Sequence, residues 1–383
     1  MGGTAVPAAA SDDLSGITVV TIEQAVAAPY ASSRLGLAGA RIIKVEAPGG
    51  DFARGYDRLA QGQSAYFVWL NAGKESIAAD LKDGGDRALV AAMCARADVV
   101  IQNLAPGTLA RLGLPLDAMR AADPRLITCS ISGYGEEGPM RDSKAYDLLV
   151  QAETGLAAIN GVGDEPARVG ISVADVAAGM SAHAAILQAL FVRERTGHGR
   201  HIAVSLFSAL ADWMTVPLLQ HRSGRTPRRL GLAHPTIAPY GVFDCADGRP
   251  ILISIQNEAE WARLCVLAGD AERAAAPGFA SNAERLANRE AVDGWIGGWL
   301  ATLTRDEAAE RLRAGRIAFG RLSDLDDLDA HPQARFVTVQ AGEGEIAVMA
   351  APATIDGIVP APGRVPALDA HGADLRREFA QFT

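Results

Sequence analysis

Cysteine is scarce in this chain of 383 residues: Cys94, Cys129, Cys245 and Cys265 lie far apart. No CxxC pair or neighbouring histidine accompanies them, which argues against a disulfide framework and against a zinc site. They read as small buried apolar side chains in a reducing compartment. Positive charge is also in short supply, with 36 Lys and Arg against 45 Asp and Glu and a formal charge of -9. That balance excludes nucleic acid or an anionic membrane as the main partner, while a local basic patch could still hold a phosphorylated ligand. No uninterrupted apolar run approaches the ~18 residues of a membrane span. Residues 1–13 lack the basic start and apolar stretch of a signal peptide, so a loose tail on a soluble, cytoplasmic protein is expected.

Glycine is missing where a dinucleotide fold would need it. Residues 17–22 form a short apolar run of the buried-strand kind, Pro29 suits the first turn of a following helix, and 40–46 reads as a second strand. The connecting turn is Glu23-Gln24-Ala25-Val26-Ala27-Ala28-Pro29, without the G-x-G-x-x-G that cradles a pyrophosphate, which argues against NAD or FAD. Glu46 then reads as a solvated strand-end charge rather than a ribose-binding acid.

What is present is sustained α/β alternation. Strands are expected at 76–81, 98–101 and 126–131, with helices at 86–95, around Arg111, and at 116–121. Ligands in open α/β sheets bind outside the carboxyl ends of strands, so 25–27, Glu46, Asn103 and Gly133-Tyr134 would share one crevice. Turn chemistry explains Gly133 and Asn103 equally well. Lys74, Arg111 and Lys144 suit phosphate contacts if they converge, and are solvated surface cations if they do not.

The stretch from Val169 to Met180 delivers Asp175, by an apolar, strand-like approach, to the start of a helix over 176–195. That helix has a basic last turn and a Gly197 stop. Asp is a preferred N-cap, so an ordinary cap is one reading. The other is an ionised nucleophile, since its neighbours are apolar and Gly179, one turn on, leaves room for a bulky ligand.

The second half reads as a separate small domain. A strand at 201–204 and a helix at 206–220 precede a basic, Gly-Pro-rich linker. Then come a hairpin around Asp247-Gly248 and helices from 258, 289 and the capping box Thr304-x-x-Glu307. Trp261, Trp295 and Trp299 are expected in its core.

Seven motifs in order carry a resemblance: Ala27-Ala28-Pro29; Gly39 to Glu46; Leu70-Asn71-x-x-Lys74; Gln102-Asn103-x-x-Pro106-Gly107-x-x-x-Arg111; Ser132-Gly133-Tyr134-Gly135; Lys144-x-Tyr146-Asp147; and Asp175-x-x-x-Gly179. Together they resemble the family III CoA-transferases, of the formyl-CoA and carnitine CoA-transferase type, over nearly the whole chain. The resemblance implies an α/β fold: a Rossmann-like large domain from both chain ends, a smaller inserted α+β domain, and an interlocked-ring homodimer. The corresponding boundaries are a tail at 1–13, a large domain at 14–220, a linker at 221–239, a small domain at 240–325 and a return segment at 326–383.

It further implies Asp175 as nucleophile, no resident cofactor and no metal, with coenzyme A and acyl-CoA as substrates. CoA contacts would come from Ala25, Val26, Ala27, Leu70, Lys74, Asn103, Arg111, Lys144 and Tyr146. Some members carry an arginine after Glu46, where this chain has Ala47-Pro48-Gly49; Arg54 would take over that contact. Gln24 and the stretch around His234 look similar to members acting on short dicarboxylic acids. A succinyl-CoA-type donor and an acceptor such as mesaconate, itaconate, malate or citramalate are therefore expected. His234 would meet a substrate carboxylate or serve structurally, and Arg222 is a candidate for the distal carboxylate. Two rivals stand beside this reading. Alpha-methylacyl-CoA racemases share the fold but place a histidine where this chain has Tyr146, and a CoA-binding regulatory protein would not need Asp175.

Overall fold

A computed structural model describes residues 4–5 and 8–383. Its framework is a six-stranded sheet of β1 (Thr18–Ile22), β2 (Arg41–Glu46), β3 (Glu75–Ala78), β4 (Val99–Gln102), β5 (Ile127–Ser132) and β6 (His201–Ser205). Strands covered on both faces need near-continuous apolar runs. Val19, Val20, Ile42, Ile43, Val99 and Val100 supply them and are all buried. Every neighbouring pair is parallel, in the order β6-β5-β4-β1-β2-β3. This is the doubly wound order whose direction reverses between β1 and β4, where a crevice opens at the carboxyl ends. Gln24-Ala25 leave β1 there, and Asn103 leaves β4.

Helices α1 (Ala27–Leu37), α2 (Asp147–Glu153) and α3 (Val173–Thr196) surround that crevice. Helix α3 ends as expected, with Arg193 and Arg195 in its last turn and Gly197 in the left-handed region at φ 76°. It begins three residues earlier than the sequence pattern indicates, and its approach over 169–172 is not a strand. By length and composition alone α3 could cross a membrane. A search for unbroken apolar runs misses it because Asp175, Ser181 and His183 interrupt the pattern. Its small-residue face, Ala174, Ala177, Ala178, Ala182 and Ala189, is instead buried in one core with Ala28, Ala31 and Leu35 of α1.

Gly179 corrects an expectation. A Cβ there would lie 2.6 Å from the Ala27 carbonyl oxygen and 2.9 Å from the Tyr30 Cβ. The missing side chain makes room for α1, not for a ligand. Gly179→Ala is therefore expected to destabilise the fold by roughly 1–3 kcal/mol through overpacking, outweighing a helix-propensity gain of up to ~1 kcal/mol. Urea unfolding measures this, and an unchanged midpoint would mean that the two helices separate freely.

The chain divides into two units, one of residues 1–157, 168–219 and 332–383, the other of 158–167 and 220–331. Residues 221–239 thus fall inside the smaller unit rather than forming a separate linker, and 158–167 accompany them. In the larger unit Thr4–Ala5 pairs with Arg335–Ala341, and Ala8–Ala9 pairs with Val359–Pro360. The segment expected as a loose tail therefore carries two short strand pairings; its residues 1–3, 6 and 7 lie outside the described residues.

The smaller unit contains the antiparallel strands Tyr240–Asp244, Pro250–Ser254 and Ala318–Arg321, with Gly248 in the hairpin turn at φ 72°. Trp261, Leu264, Ile296 and Leu300 form its core with Trp295 and Trp299 against it. Thr304 and Glu307 make the reciprocal capping box that their spacing indicates. The helix expected over 206–220 is two helices, Leu206–Trp213 and Thr215–Arg222, parted at Met214.

Candidate active site

At the switch point between β1 and β4 the larger unit opens a cleft of about 510 Å3. The segments that follow β1, β4 and β5 line it, together with the first turns of α2 and α3. Asp175, in the first turn of α3, is among the residues that line it. The helix is capped by another residue. Asp147, the first residue of α2, accepts hydrogen bonds from the Ala174 N–H at 2.7 Å and the Asp175 N–H at 3.4 Å through Oδ1. Its Oδ2 accepts one from Gln151 Nε2 at 2.7 Å. The Asp175 carboxylate is thereby left out of capping, and none of the described residues gives it a hydrogen bond or a cation. Burial pushes its pKa up to about 7, and the neighbouring Asp147 charge pushes the same way.

The same cleft carries basic side chains. Arg111, Arg141 and Lys144 line the cleft and are exposed, and none is paired with a carboxylate among the described residues. Both guanidinium groups pack over Gly107, which holds φ 75°; a Cβ there would come within 3.2 Å of Arg111. Gly133 serves a similar purpose, because a Cβ would sit 2.1 Å from that of Ala145 and push the Lys144 segment off the end of β5. Close approach, rather than turn chemistry, is what that glycine permits.

The loop after β1 is held firmly. Asn103 accepts a hydrogen bond from the Gln24 N–H at 2.9 Å and donates one to its carbonyl at 2.8 Å. Asn103 lines the cleft, and one N–H and the oxygen of its amide position Gln24. Ala25 and Ala27 face the cleft, whereas Val26 is buried beside Leu70 and Tyr30. A turn at Phe52–Gly55 sets the exposed rings of Phe52 and Tyr56 on the cleft wall, 5.6 Å apart. Burial and then the charge of Asp175 push the Tyr56 phenol up to about 12.

A model of the CoA-transferase family III matches residues 14–372. The chain belongs to this family. The acetyl-CoA:oxalate CoA-transferase of Acetobacter aceti is 35% identical over 385 residues, covering 98% of this chain and 97% of that one. The succinate–glutarate CoA-transferase of Agrobacterium fabrum is 34% identical over 347 residues, 87% and 86% of the two chains. The crystal structure of a CAIB/BAIF family protein from Brucella suis has a TM-score of 0.83 at 34% identity, over 96% of this chain and 99% of that one.

Besides Val26, four residues expected in the site of this CoA-transferase stand elsewhere. Lys74 is buried beneath the β1 loop, its ammonium donating to Glu23 Oε1 at 2.6 Å, Ser32 Oγ at 2.7 Å and the Pro29 carbonyl at 3.2 Å. All three donors are used, so it has none for a phosphate. Leu70 is fully buried in the cluster with Val26. Arg54 is committed to Glu46 by two contacts of 2.7 Å and lies 3.8 Å over the Phe67 ring. Glu46 itself, expected in solvent, is buried and also accepts from Ser76 Oγ at 2.6 Å. His234 lies in the smaller unit, stacked on Tyr240 at 5.0 Å, with Nδ1 accepting from the Thr236 N–H at 3.2 Å.

Other residues were missed. Asp147 was visible only as the end of the Lys-x-Tyr-Asp motif, and its capping of a helix 26 positions later in sequence has no local signal. Arg141 and Tyr56 lie in irregular segments. Lys82 is exposed on the edge of a second cavity of about 220 Å3, which shares Gln24 and Leu104 with the first and is lined by apolar residues such as Val45, Pro48 and Leu112 together with the acids Glu23, Glu46, Asp51 and Asp80. Its place just beyond the end of β3 was the available signal.

Proposed function

We propose that this transferase moves CoA from a short acyl-CoA, of the succinyl-CoA type, to a short dicarboxylic acid, with Asp175 as covalent nucleophile. The observation that carries the reading is a desolvated carboxylate, free of cap and ion pair, in one cleft with three unpaired cations. Oxalate, succinate and glutarate in the names of its relatives are short dicarboxylates, which supports the acceptor class.

In this reading the diphosphate and pantetheine of CoA lie along the main cleft beside Arg111, Arg141 and Lys144. The adenine enters the second cavity against Val45, Pro48 and Leu112, with Lys82 beside its 3′-phosphate. An Asp175 oxygen attacks the thioester carbonyl carbon; the C–S bond breaks, giving a mixed anhydride and CoA thiolate. The thiolate attacks the Asp175 carbonyl carbon, and the donor acid leaves as carboxylate from an aspartyl-CoA thioester. An acceptor carboxylate then repeats both steps in reverse and regenerates Asp175. Desolvation raises the energy of the attacking carboxylate and keeps water from the anhydride.

The N–H groups that open α3 are not free to stabilise an oxyanion, because Ala174 and Asp175 spend theirs on Asp147. The first turn of α1 supports the alternative. It has no side-chain cap, and the Ala27 and Ala28 N–H groups have no partner among the described residues. They would stabilise the oxyanion.

Exposed apolar side chains on α3, Met180, Leu187 and Phe191, and beyond it Trp213, Val216 and Leu219, support a homodimer.

Intact-mass measurement after brief incubation with succinyl-CoA, acetyl-CoA and oxalyl-CoA tests the mechanism. A covalent CoA adduct released by hydroxylamine is expected, and native mass measurement of the same sample should give twice the mass of one chain. No adduct from any ester, with exchange of an α-proton into deuterated solvent, would overturn the transfer reading in favour of racemisation.

A further inference from the structure

Ala25 is a non-glycine residue in the left-handed region, at φ 63°, on the wall of the cleft. Such a conformation costs free energy for any residue with a Cβ and persists only when its surroundings enforce it. The enforcing group is one carboxylate. Asp51 Oδ1 accepts from the Ala25 N–H at 3.1 Å and from the Ala53 N–H at 2.9 Å. The second bond starts the turn that carries Phe52 and Tyr56 into the cleft.

Asp51 is itself fixed. Its Oδ2 meets Lys44 Nζ at 2.9 Å with both side chains fully buried, and its own N–H donates to Glu46 Oε2 at 2.9 Å. Glu46 is in turn held by Arg54. Nothing in this group faces the reacting atoms, yet Oδ1 joins the loop after β1 to the aromatic wall after β2. Losing that acceptor would free Ala25 to return to an ordinary backbone conformation and would let both walls drift around Asp175.

We propose that Asp51 is a positioning residue that holds the Gln24–Ala27 loop and the Phe52–Tyr56 turn in register about the nucleophile. The kinetic part of this proposal rests on the transfer reading above. The structural part does not. Because Asp51 also lines the second cavity, where the adenine would lie, a change in KM does not isolate its role; losing the acceptor should lower kcat.

The test removes the buried charge together with its partner, so that no uncompensated ion remains. Lys44→Met with Asp51→Asn keeps an oxygen acceptor for Ala25; Lys44→Met with Asp51→Leu does not. The first variant should retain kcat within about threefold of the parent. The second should lose roughly ten- to a hundredfold in kcat. Adding Ala25→Gly to the second should recover roughly fivefold, since glycine adopts φ 63° without the Cβ penalty.

Hydrogen exchange of peptides spanning 22–30 provides a readout that does not depend on turnover. It should quicken in the leucine variant and remain at the parent rate in the asparagine variant. Equal exchange and equal kcat in the two variants, or no recovery with Ala25→Gly, would overturn the proposal. If the parent shows no transfer at all, the transfer reading fails, and the exchange comparison alone decides the role of Asp51.

Discussion

Asp175→Asn is expected to abolish the covalent CoA adduct and to lower turnover by at least roughly a thousandfold, because the amide keeps the shape but cannot attack a thioester. The same substitution should stabilise the fold at alkaline pH. Burial, the main cause, pushes the folded carboxyl from its ordinary value of 3.8 up to about 7. Between those values the folded state holds a proton that the unfolded state has released. Stability therefore falls as pH rises through this window, and above about 7 the ionised folded side chain opposes folding. Asparagine carries no such charge. At pH 8 the variant should unfold later than the parent by about 1–2 kcal/mol, discounted for partial solvent access, and at pH 4 the two should coincide. The rate of adduct formation in the parent should rise with pH about a midpoint near 7. A midpoint near 4, or equal melting of the two proteins at pH 8, would show that the carboxylate is well solvated and that desolvation is not what activates it.

The parts of the fold governed by local pattern were legible. Apolar β-branched runs located the large sheet's first five strands, the Gly197 stop and basic turn located the end of α3, and Thr304 with Glu307 marked a helix start. The sequence order of strands and helices indicated an α/β sheet, but the lateral order depends on long-range pairing, which leaves no mark within any single strand. Family resemblance supplied that level, and the match over residues 14–372 bears out the family.

Within the site, Ala25, Ala27, Asn103, Arg111, Lys144, Tyr146 and Asp175 do line one cleft. The failures share a cause. Lys74 and Arg54 look like free cations because a sequence shows a charge without its partner; Glu23 and Glu46 are 51 and eight positions away respectively. Gly179 looked like space for a ligand because the close approach of α1 is a tertiary fact. Asp147 and Asp51 were overlooked for the opposite reason. Each is an ordinary acid in its own segment, and its importance comes from backbone N–H groups that belong to other segments.

The buried position of Lys74 leads to the second large expected effect. Glu23 and Lys74 are within 2.6 Å of each other with side chains 0% and 1% exposed, and Lys44 approaches the same Glu23 oxygen only to 3.5 Å. Burial lowers the Lys74 pKa to about 8, against the upward pull of Glu23, so the ammonium remains charged at neutral pH. For Glu23 burial acts upward, but the charges of Lys74 and Lys44 outweigh it and hold the carboxyl below its ordinary value. Removing one member of such a pair strands the other in a low-dielectric interior. Lys74→Met should therefore destabilise the protein by about 3–5 kcal/mol, and Glu23→Gln added to it should restore most of the loss. Lys82→Ala should do the reverse. At an exposed position it should change stability by no more than about 0.5 kcal/mol, while raising KM for an acyl-CoA roughly tenfold and leaving KM for the 3′-dephospho ester unchanged. Denaturant unfolding and steady-state kinetics on the same four proteins separate structural from ligand-binding lysines. A Lys74→Met protein that unfolds with the parent and binds CoA esters weakly would return Lys74 to the ligand and remove Lys82 from it. The lysine that the sequence offered for the phosphate and the one proposed for it here lie only eight residues apart. What distinguishes them is that β3 carries the chain from the interior, where Glu23 claims the first, to the open end of the sheet.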